Sequence, residues 1–257
     1  MNRKGYMLMR YFFTSILIMS VYSIGFAQEK SGKLKMFFLL TANQKKIVLR
    51  DNLYINSFNE TYSISKLKYY VSSFNLGSSA VKMNHEKYFL VSAANQENAI
   101  LFENVPVDSY STLSFCLGID SMDNCTGAQS GSLDPINDMF WTWNSGYVYF
   151  KLEGNSSSSP ADMNRIEYHI GGYKNKNIAK RKINVNIRSV DTLLSSFKIM
   201  PDKTTDVFIE LNLDNLWNYA SDLKISETPI CVSPGETAML IADNFESLFS
   251  IKNIIVH

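Results

Sequence analysis

The chain of 257 residues is poor in the residue types that build disulfide scaffolds and metal or catalytic centres. It contains three cysteines, three histidines, 12 glycines and 6 prolines. Three cysteines without a Cys-x-x-Cys pair make neither a disulfide-rich scaffold nor the usual zinc site. The low glycine and proline counts, beside 46% hydrophobic residues, exclude collagen-like and disordered chains. We therefore expect a globular fold with a sizeable core.

A charge excess and catalytic signatures are also missing. Twenty-five basic residues stand against 24 acidic ones, which excludes the strongly basic surface of a typical nucleic-acid-binding protein. The chain has no Gly-x-Ser-x-Gly, Walker, Gly-x-Gly-x-x-Gly or His-Glu-x-x-His motif, and no second histidine follows His85-Glu86 at the required spacing. We therefore predict that the protein is not an enzyme and does not bind nucleic acid.

The one long apolar run lies at the N-terminus and is typical of an export signal. Three basic and no acidic residues occur in the first ten positions, the apolar stretch Tyr11–Phe26 follows, and Ala27 supplies a small residue at the cleavage position. We predict a signal peptide over residues 1–27 and a mature domain over residues 28–257, in the periplasm, secreted or at the cell surface. An uncleaved anchor is the alternative, although about 16 apolar residues is short for a bilayer span.

Short runs rich in β-branched and aromatic residues recur along the mature chain and predict strands. In Lys182–Val190 the apolar residues alternate with polar ones, as in a strand with one buried face. Helical signals are few and short, at Asp214–Tyr219 and Asp243–Ile251. We predict an all-β fold, a single antiparallel β-sandwich with a few short helices. The other predicted strands are Lys33–Leu40, Ile47–Ile55, Ser65–Leu76, Lys87–Ser92, Thr112–Ile119, Tyr147–Leu152, Arg165–Ile170 and Asp206–Leu213.

The segment Leu133–Tyr147 stands out because it contains two of the three tryptophans of the chain. Trp141 and Trp143 are two residues apart, so their side chains point to the same side if the backbone is extended. Pro135 cannot donate to a strand ladder and predicts an irregular or briefly helical approach to them. The residues alone leave three interpretations open: an aromatic pair in a core, a sugar-stacking platform, or the wall of a metal site.

This segment and several others together resemble a known family. The matching stretches are Ser65–Ser72, Gly118–Ser121, Gly127–Pro135, Met139–Tyr147, Lys151–Gly154, Tyr168–Gly172 and Ile241–Phe245. Over nearly the whole mature region the chain resembles the MbnP family of exported copper-binding proteins. The resemblance implies a β-rich protein whose copper site depends on oxidation of a tryptophan to kynurenine. It also implies a partner that performs the oxidation, a dihaem peroxidase of the MbnH type.

The resemblance further implies which residues bind copper. His169 occupies the family's His-x-Gly position at the end of a strand, and Trp141 or Trp143 is the residue to be oxidised. Cys125 follows an asparagine where copper-binding members carry an Asn-His pair, and His257 is the one histidine of the C-terminal tail. Imidazole, thiolate and thioether groups suit copper(I), and kynurenine adds an aniline nitrogen and a ketone.

The serine-rich stretch Asn155–Pro160 separates two predicted strands and indicates a hairpin. Paired antiparallel strands place the start of one opposite the end of the other. We therefore expect His169 to lie beside the tryptophan segment and away from the serine-rich turn.

The three cysteines leave room for one disulfide. Cys116 and Cys231 lie in apolar, strand-like runs, whereas Cys125 lies in a polar stretch that suits a free or ligating thiol. If a disulfide forms, we expect it between Cys116 and Cys231.

The leading hypothesis is an exported protein that binds or handles copper, with copper as its cofactor. The alternative is a non-catalytic binding or adhesion module that presents Trp141, Trp143 and surface tyrosines to a glycan or a protein. A structural envelope protein is the third hypothesis. No other run approaches bilayer length, so we expect no membrane span after signal cleavage.

Overall fold

Alternating side chains along the first long strand produce a sheet with one buried face. In the computed structural model Leu34, Met36 and Phe38 are buried, while Lys33 and Lys35 between them face outward. Successive side chains of a strand point to opposite faces, so this pattern commits one face to the core.

The structure describes residues 30–77, 79–81, 86–142, 145–186 and 196–257. The predicted signal peptide over residues 1–27 lies outside these residues, and so does Trp143. The chain divides into the units Met1–Lys30 and Ser31–His257, and the description below concerns the second.

The described part of the chain is built mainly from strands. The strands are β1 (Ser31–Ala42), β2 (Lys45–Lys46), β3 (Leu53–Ile55), β4 (Thr61–Leu76), β5 (Ser79–Ala80), β6 (Tyr88–Ser92), β7 (Ala99–Pro106), β8 (Ser109–Tyr110), β9 (Thr112–Leu117), β10 (Phe140–Thr142), β11 (Gly146–Ser156), β12 (Arg165–Gly171), β13 (Tyr173–Lys174), β14 (Asn177–Ile178), β15 (Arg181–Asn186), β16 (Phe197–Lys198), β17 (Thr204–Asn212), β18 (Ile230–Cys231) and β19 (Phe249–Val256). The α-helices are α1 (Ser121–Cys125) and α2 (Glu236–Asp243), and 3₁₀ turns lie at Gly131–Leu133, Pro135–Asn137, Asp162–Asn164, Leu213–Leu216 and Asn244–Ser247. The predicted all-β class with a few short helices is confirmed.

The smaller of the two main sheets has the strand order β19-β17-β1-β2. β7 also pairs with β1, along Ser31–Phe37, whereas β2 pairs only with the end of β1 at Thr41 and Ala42. β1 and β17 run parallel, from Lys33 opposite Thr204 to Thr41 opposite Asn212. β12 and β18 are also parallel, so the sandwich is not wholly antiparallel as expected. Parallel neighbours need a long crossover connection. Here most of the larger sheet is that connection, which is why no local pattern predicts the pairing.

The larger sheet has ten strands along the path β15-β9-β4-β11-β12-β18, with β3, β5 and β6 on β4 and β10 on β11. Its central strand β4 is 16 residues long and pairs with both β9 and β11. The predicted hairpin across the serine-rich turn is confirmed, because β11 and β12 pair antiparallel with Lys151 opposite His169.

Aromatic rings join the two main sheets face to face. Phe38 of β1 lies edge-on to Tyr69 of β4 and Phe115 of β9, with ring centroids 6.4 and 5.8 Å apart. Phe249 of β19 contacts the same two rings at 5.7 and 5.1 Å. Such pairs contribute about 0.5–1.5 kcal/mol each beyond the burial of their area. The core of the sandwich therefore lies between β1 and β19 on one side and β4 and β9 on the other.

Two of the longer strands, β7 and β19, were not predicted from the sequence. The interval Asp243–Ile251 was expected to start a helix, but only the 3₁₀ turn at Asn244–Ser247 and the end of α2 fall there, and β19 begins at Phe249. β7 was also missed. Both strands are edges of the smaller sheet that pair with distant residues, β19 with β17 and β7 with β1.

The proposed disulfide between Cys116 and Cys231 is wrong, because all three cysteines are free thiols. Cys116 lies on β9 and Cys231 on β18, and β4, β11 and β12 intervene in the strand path. Neighbouring strands are already about 4.8 Å apart, whereas a disulfide needs Cα atoms within about 7 Å.

The buried hydroxyl of Tyr69 generates a test of the core. Among the described residues it has no hydrogen-bond partner, although the side chain is fully buried. We expect Tyr69→Phe to raise the free energy of unfolding by about 1 kcal/mol, because an unpaired buried hydroxyl loses its hydration without compensation. Chemical denaturation measures the change.

Tyr70→Phe is the matched control on the same strand. The Tyr70 hydroxyl donates to the Ser132 carbonyl at 2.8 Å, so we expect its loss to cost about 1 kcal/mol. A Tyr69→Phe protein less stable than the wild type would contradict this reading of the core.

Candidate functional site

Charged residues line the face of the larger sheet that points away from the smaller one, here called the outer face. In register across β4, β11 and β12 lie Lys68, Lys151 and His169. Their strand neighbours Leu67, Leu152 and Tyr168 are buried on the opposite, inner face. Strand alternation therefore sets His169 beside Lys151 and away from the core.

Residues 127–139, here called the covering segment, lie over the outer face and are held there by side chains from the sheet. The Tyr70 hydroxyl donates to Ser132, the Lys68 ammonium donates to Asn137 at 2.8 Å, and the Tyr147 hydroxyl donates to Leu133 at 2.9 Å, in each case at the backbone carbonyl.

The sequence of the covering segment explains its shape. The Asp134 side chain accepts from the Ile136 backbone N–H at 2.9 Å, and Pro135 opens the 3₁₀ turn where its missing N–H costs nothing. Asp138 then ends the turn in the left-handed region with φ 59°. The short helical approach that Pro135 predicts is confirmed.

An ionic cluster of Lys66, Asp138, Lys151, Glu153 and His169 joins the covering segment to the sheet. Lys66 lies 2.6 Å from an Asp138 oxygen and 3.1 Å from Glu153, and Lys151 lies 3.0 Å from Asp138. The Lys151 ammonium also donates to the Asp138 carbonyl, and its side chain is only 5% exposed. His169 Nε2 lies 2.9 Å from Glu153 Oε1.

The protonation states in this cluster follow from burial and from the lysines. Burial lowers the pKa of His169, and the neighbouring Lys151 charge lowers it further, against the opposing effect of Glu153. Burial alone would raise the pKa of Glu153, but hydrogen bonds from Lys66 and His169 outweigh it and lower that pKa. A carboxylate can only accept, so the neutral imidazole donates through Nε2 and keeps a lone pair on Nδ1.

Trp141 lies against Gly171 of β12, two residues from His169. β10 pairs with β11, with Phe140 opposite Tyr147, and this carries Trp141 over to β12. A side-chain carbon at Gly171 would approach Trp141 Cζ3 to 2.9 Å and would also meet the Tyr147 carbonyl, so only glycine leaves room for the indole there. Gly171 follows His169 by two residues, about 7 Å along the strand.

Asn124 ties α1 to the strand that follows the tryptophans. Its side chain is fully buried, accepts from the Tyr147 backbone N–H at 3.0 Å and donates to the Tyr149 hydroxyl at 2.8 Å. Cys125, the next residue, is exposed. The helix that carries Cys125 thus lies at the start of β11. The sequence analysis noted Asn124 only as the neighbour of Cys125 and missed this structural role. No pattern in the sequence indicates that its side chain bonds to residues of β11.

Lysines form ion pairs with the carboxylates of Asp120 and Asp123 at the N-terminal end of α1. Lys87 Nζ lies 2.7 Å from oxygens of both Asp120 and Asp123, and Lys180 also pairs with Asp120. Although burial opposes it, hydrogen bonds from Lys180 and Lys87 lower the pKa of Asp120 to about 2. These acidic groups therefore anchor the helix through ion pairs.

Of the other predicted ligands, His257 is not brought to His169. His257 follows β19 on the smaller sheet, where its Nε2 lies 3.1 Å from Asp206 Oδ2. Trp143 lies outside the described residues. Within the described ranges no three His, Cys, Asp or Glu side chains are grouped as a metal would need.

The donors beside Trp141 are consequently few. His169 Nδ1 is one nitrogen donor, and three lysines against two carboxylates give the surroundings a net positive charge. An imidazole donor suits a soft ion such as copper(I) better than it suits calcium or magnesium, which need several oxygen ligands.

No helix in the described part of the chain is long and apolar enough to cross a bilayer.

Comparisons with known proteins identify a family and a solved structure that the chain resembles. The family model described as MbnP matches residues 31–233, which include the covering segment, Trp141 and His169 but not β19 or His257. A solved structure titled MbnP from Methylosinus trichosporium is similar to the chain at 13% sequence identity, with a TM-score of 0.58 over 87% of this chain and 99% of that one. A search of curated proteins found no match.

The contact at Gly171 can be tested by enlarging it. We expect Gly171→Ala to lower the free energy of unfolding by about 1–3 kcal/mol and to change the near-ultraviolet circular dichroism of the tryptophans, because the added carbon displaces the indole. Gly235→Ala is the matched control, since nothing lies within 4 Å of an added carbon there. Equal effects of the two substitutions would contradict the packing described.

The charge of Lys151 generates a pH prediction. Folding lowers the pKa of His169 below its ordinary value of 6.5, so the folded state holds this proton less tightly than the unfolded state. The neutral His169 therefore contributes to the free energy of unfolding above pH 6.5, and this contribution is lost as the pH falls from 6.5 through the pKa that His169 has in the folded protein.

We expect Lys151→Met to raise the pKa of His169 measured by NMR titration. Lys68→Met, which removes the next lysine in the row, should change that pKa less. The opposite ranking of the two variants would show that Lys151 is not the charge that acts on His169.

Proposed function

Because the chain belongs to the MbnP family, we propose that it is an exported copper-handling protein whose copper site forms when Trp141 is oxidised to kynurenine. A dihaem peroxidase of the MbnH type is the proposed partner that oxidises it. In this proposal the protein is a substrate and a metal carrier, not an enzyme. The observation that carries the proposal is the contact of the Trp141 indole with Gly171, two residues from His169.

The proposed location is the periplasm, the cell surface or the medium. Its support is the basic N-terminus followed by the apolar run Tyr11–Phe26 and the small residue Ala27. Cleavage there leaves residues 28–257 in an oxidising compartment, where a peroxidase can act on a tryptophan.

Exposure favours Trp141 over Trp217 as the oxidised residue. Trp141 is half-buried, whereas Trp217 is fully buried and its indole N–H lies 3.4 Å from the Tyr62 hydroxyl. The oxidation cleaves the C2–C3 bond of the indole and adds one oxygen atom to each carbon, while two molecules of hydrogen peroxide are reduced to two of water. One further water then hydrolyses the N-formyl group and releases formate. The product side chain carries an aniline nitrogen and a ketone in place of the indole N–H.

The ligands that we propose for copper(I) are His169 and the oxidised Trp141. The His169 imidazole is neutral near pH 7 because its pKa is lowered by burial and Lys151, so it needs no deprotonation to bind. Cys125 is proposed as a third donor, because Asn124 fixes its helix at the start of β11. His257 is not included, since it lies on the smaller sheet beside Asp206.

The alternative, a glycan-binding or adhesion module, has less support. A sugar-stacking platform needs a free ring face, whereas the Trp141 indole packs against Gly171 and the core. The test below distinguishes this alternative and a structural envelope role from copper handling.

Intact mass tests the oxidation. We expect protein from its native host to be about 4 Da heavier than its mature sequence, the change from tryptophan to kynurenine. Trp141→Phe should abolish this increment and Trp143→Phe, the matched control, should preserve it. If only the Trp143 variant lost the increment, Trp143 and not Trp141 would be the oxidised residue.

Copper titration of the oxidised protein tests the binding. We expect copper(I) to bind the oxidised wild type. It should bind the oxidised His169→Ala variant at least tenfold more weakly, because the substitution removes the imidazole ligand. An unmodified native protein without copper would favour the binding-module or envelope hypotheses.

A further inference from the structure

The hydrogen bond between Glu153 and His169 determines which imidazole nitrogen carries the proton. Glu153 lies on β11 and His169 on β12, one step apart diagonally across the hairpin. The 2.9 Å contact joins Glu153 Oε1 to His169 Nε2. Because the acceptor is an ion-paired carboxylate, the shared proton belongs to the imidazole.

Glu153 is itself held in place from two sides. Lys66 lies 3.1 Å from its second oxygen, Oε2, and Lys151 lies 3.9 Å from Oε1. Both lysines are fixed in turn by Asp138 of the covering segment. The carboxylate therefore has one orientation, and it presents one oxygen to His169.

We propose that Glu153 is a positioning residue that fixes His169 with Nε2 protonated and makes Nδ1 the nitrogen that binds copper(I). This inference rests on the proposed function for its metal, but its first part concerns the metal-free protein. A carboxylate that fixes the tautomer and ring orientation of a ligating histidine commonly changes metal affinity 10–100-fold when removed.

The arrangement also separates two roles that Glu153 could have. As a ligand, Glu153 would have to leave Lys66 and His169. As a positioning residue, it keeps both contacts and acts through the imidazole, and the lysine pairing favours this role because an ion-paired oxygen is a poor donor to a cation.

The first arm of the test uses the metal-free mature protein with ¹⁵N-labelled histidine. We expect NMR to show His169 with a protonated Nε2, a bare Nδ1 and an Nε2 proton that exchanges slowly with water. Glu153→Ala should lose the slowly exchanging proton. Glu167→Ala is the matched control, because Glu167 lies on the same face of β12 and pairs with Arg165 at 3.1 Å.

A second variant guards against misfolding. Glu153→Gln keeps the side-chain volume and removes the charge, so it should fold and exchange its Nε2 proton at least tenfold faster than the wild type. A wild-type His169 with protonated Nδ1, or slow exchange that survives in both Glu153 variants, would overturn the proposal.

The second arm uses copper(I) alone, which is diamagnetic, added to the peroxidase-oxidised protein. We expect the Nδ1 resonance to move on binding while Nε2 keeps its proton, and copper affinity to fall 10–100-fold in Glu153→Ala and less than twofold in Glu167→Ala. Binding at Nε2, or equal affinity of these two variants, would overturn the positioning role. If the oxidised wild type binds no copper, the proposed function and the assignment of Nδ1 as ligand both fail, while the first arm still decides whether Glu153 orients His169.

Discussion

The buried ammonium group of Lys151 is the constraint on which the outer face of the larger sheet depends. A charge removed from water costs several kcal/mol unless ion pairs and hydrogen bonds replace its hydration. Asp138 supplies both a carboxylate and a carbonyl, which fixes the covering segment on the sheet. Burial lowers the pKa of the adjacent His169 and the same ammonium lowers it further, so one cation acts both on the backbone above the site and on the imidazole within it.

The fold class and the central hairpin could be predicted from the sequence because both depend on local patterns. Alternation marked the strands, and the serine-rich turn between two of them placed His169 at the tryptophan end. The parallel pairing of β1 with β17, and the edge strands β7 and β19, depend on partners far along the chain and leave no local signal. The disulfide prediction failed for the same reason, since the strand path that separates Cys116 from Cys231 is a property of the whole sheet.

The candidate site was predictable only where a motif carried it. His169 and Trp141 were assigned roles from the resemblance, whereas Glu153, Lys66 and Lys151 lie in stretches that carry the resemblance but were assigned no role. Their role depends on a covering segment that crosses back over them, and charge alternation alone does not predict that. The fold shared with a solved structure at 13% identity fits the first part of this division, because strand patterns tolerate substitution.

The position of β19 has a consequence for the order in which the chain can fold. The smaller sheet joins β1, at the start of the described domain, to β17, and β17 to the last strand of the chain. Phe249 of that strand also fills the core against Tyr69 and Phe115. The core is therefore incomplete until β19 has been synthesised and has paired with β17, however early the other strands form. Contacts of such high sequence separation slow folding, because the entropy of closing a long loop is lost before the contacts can form.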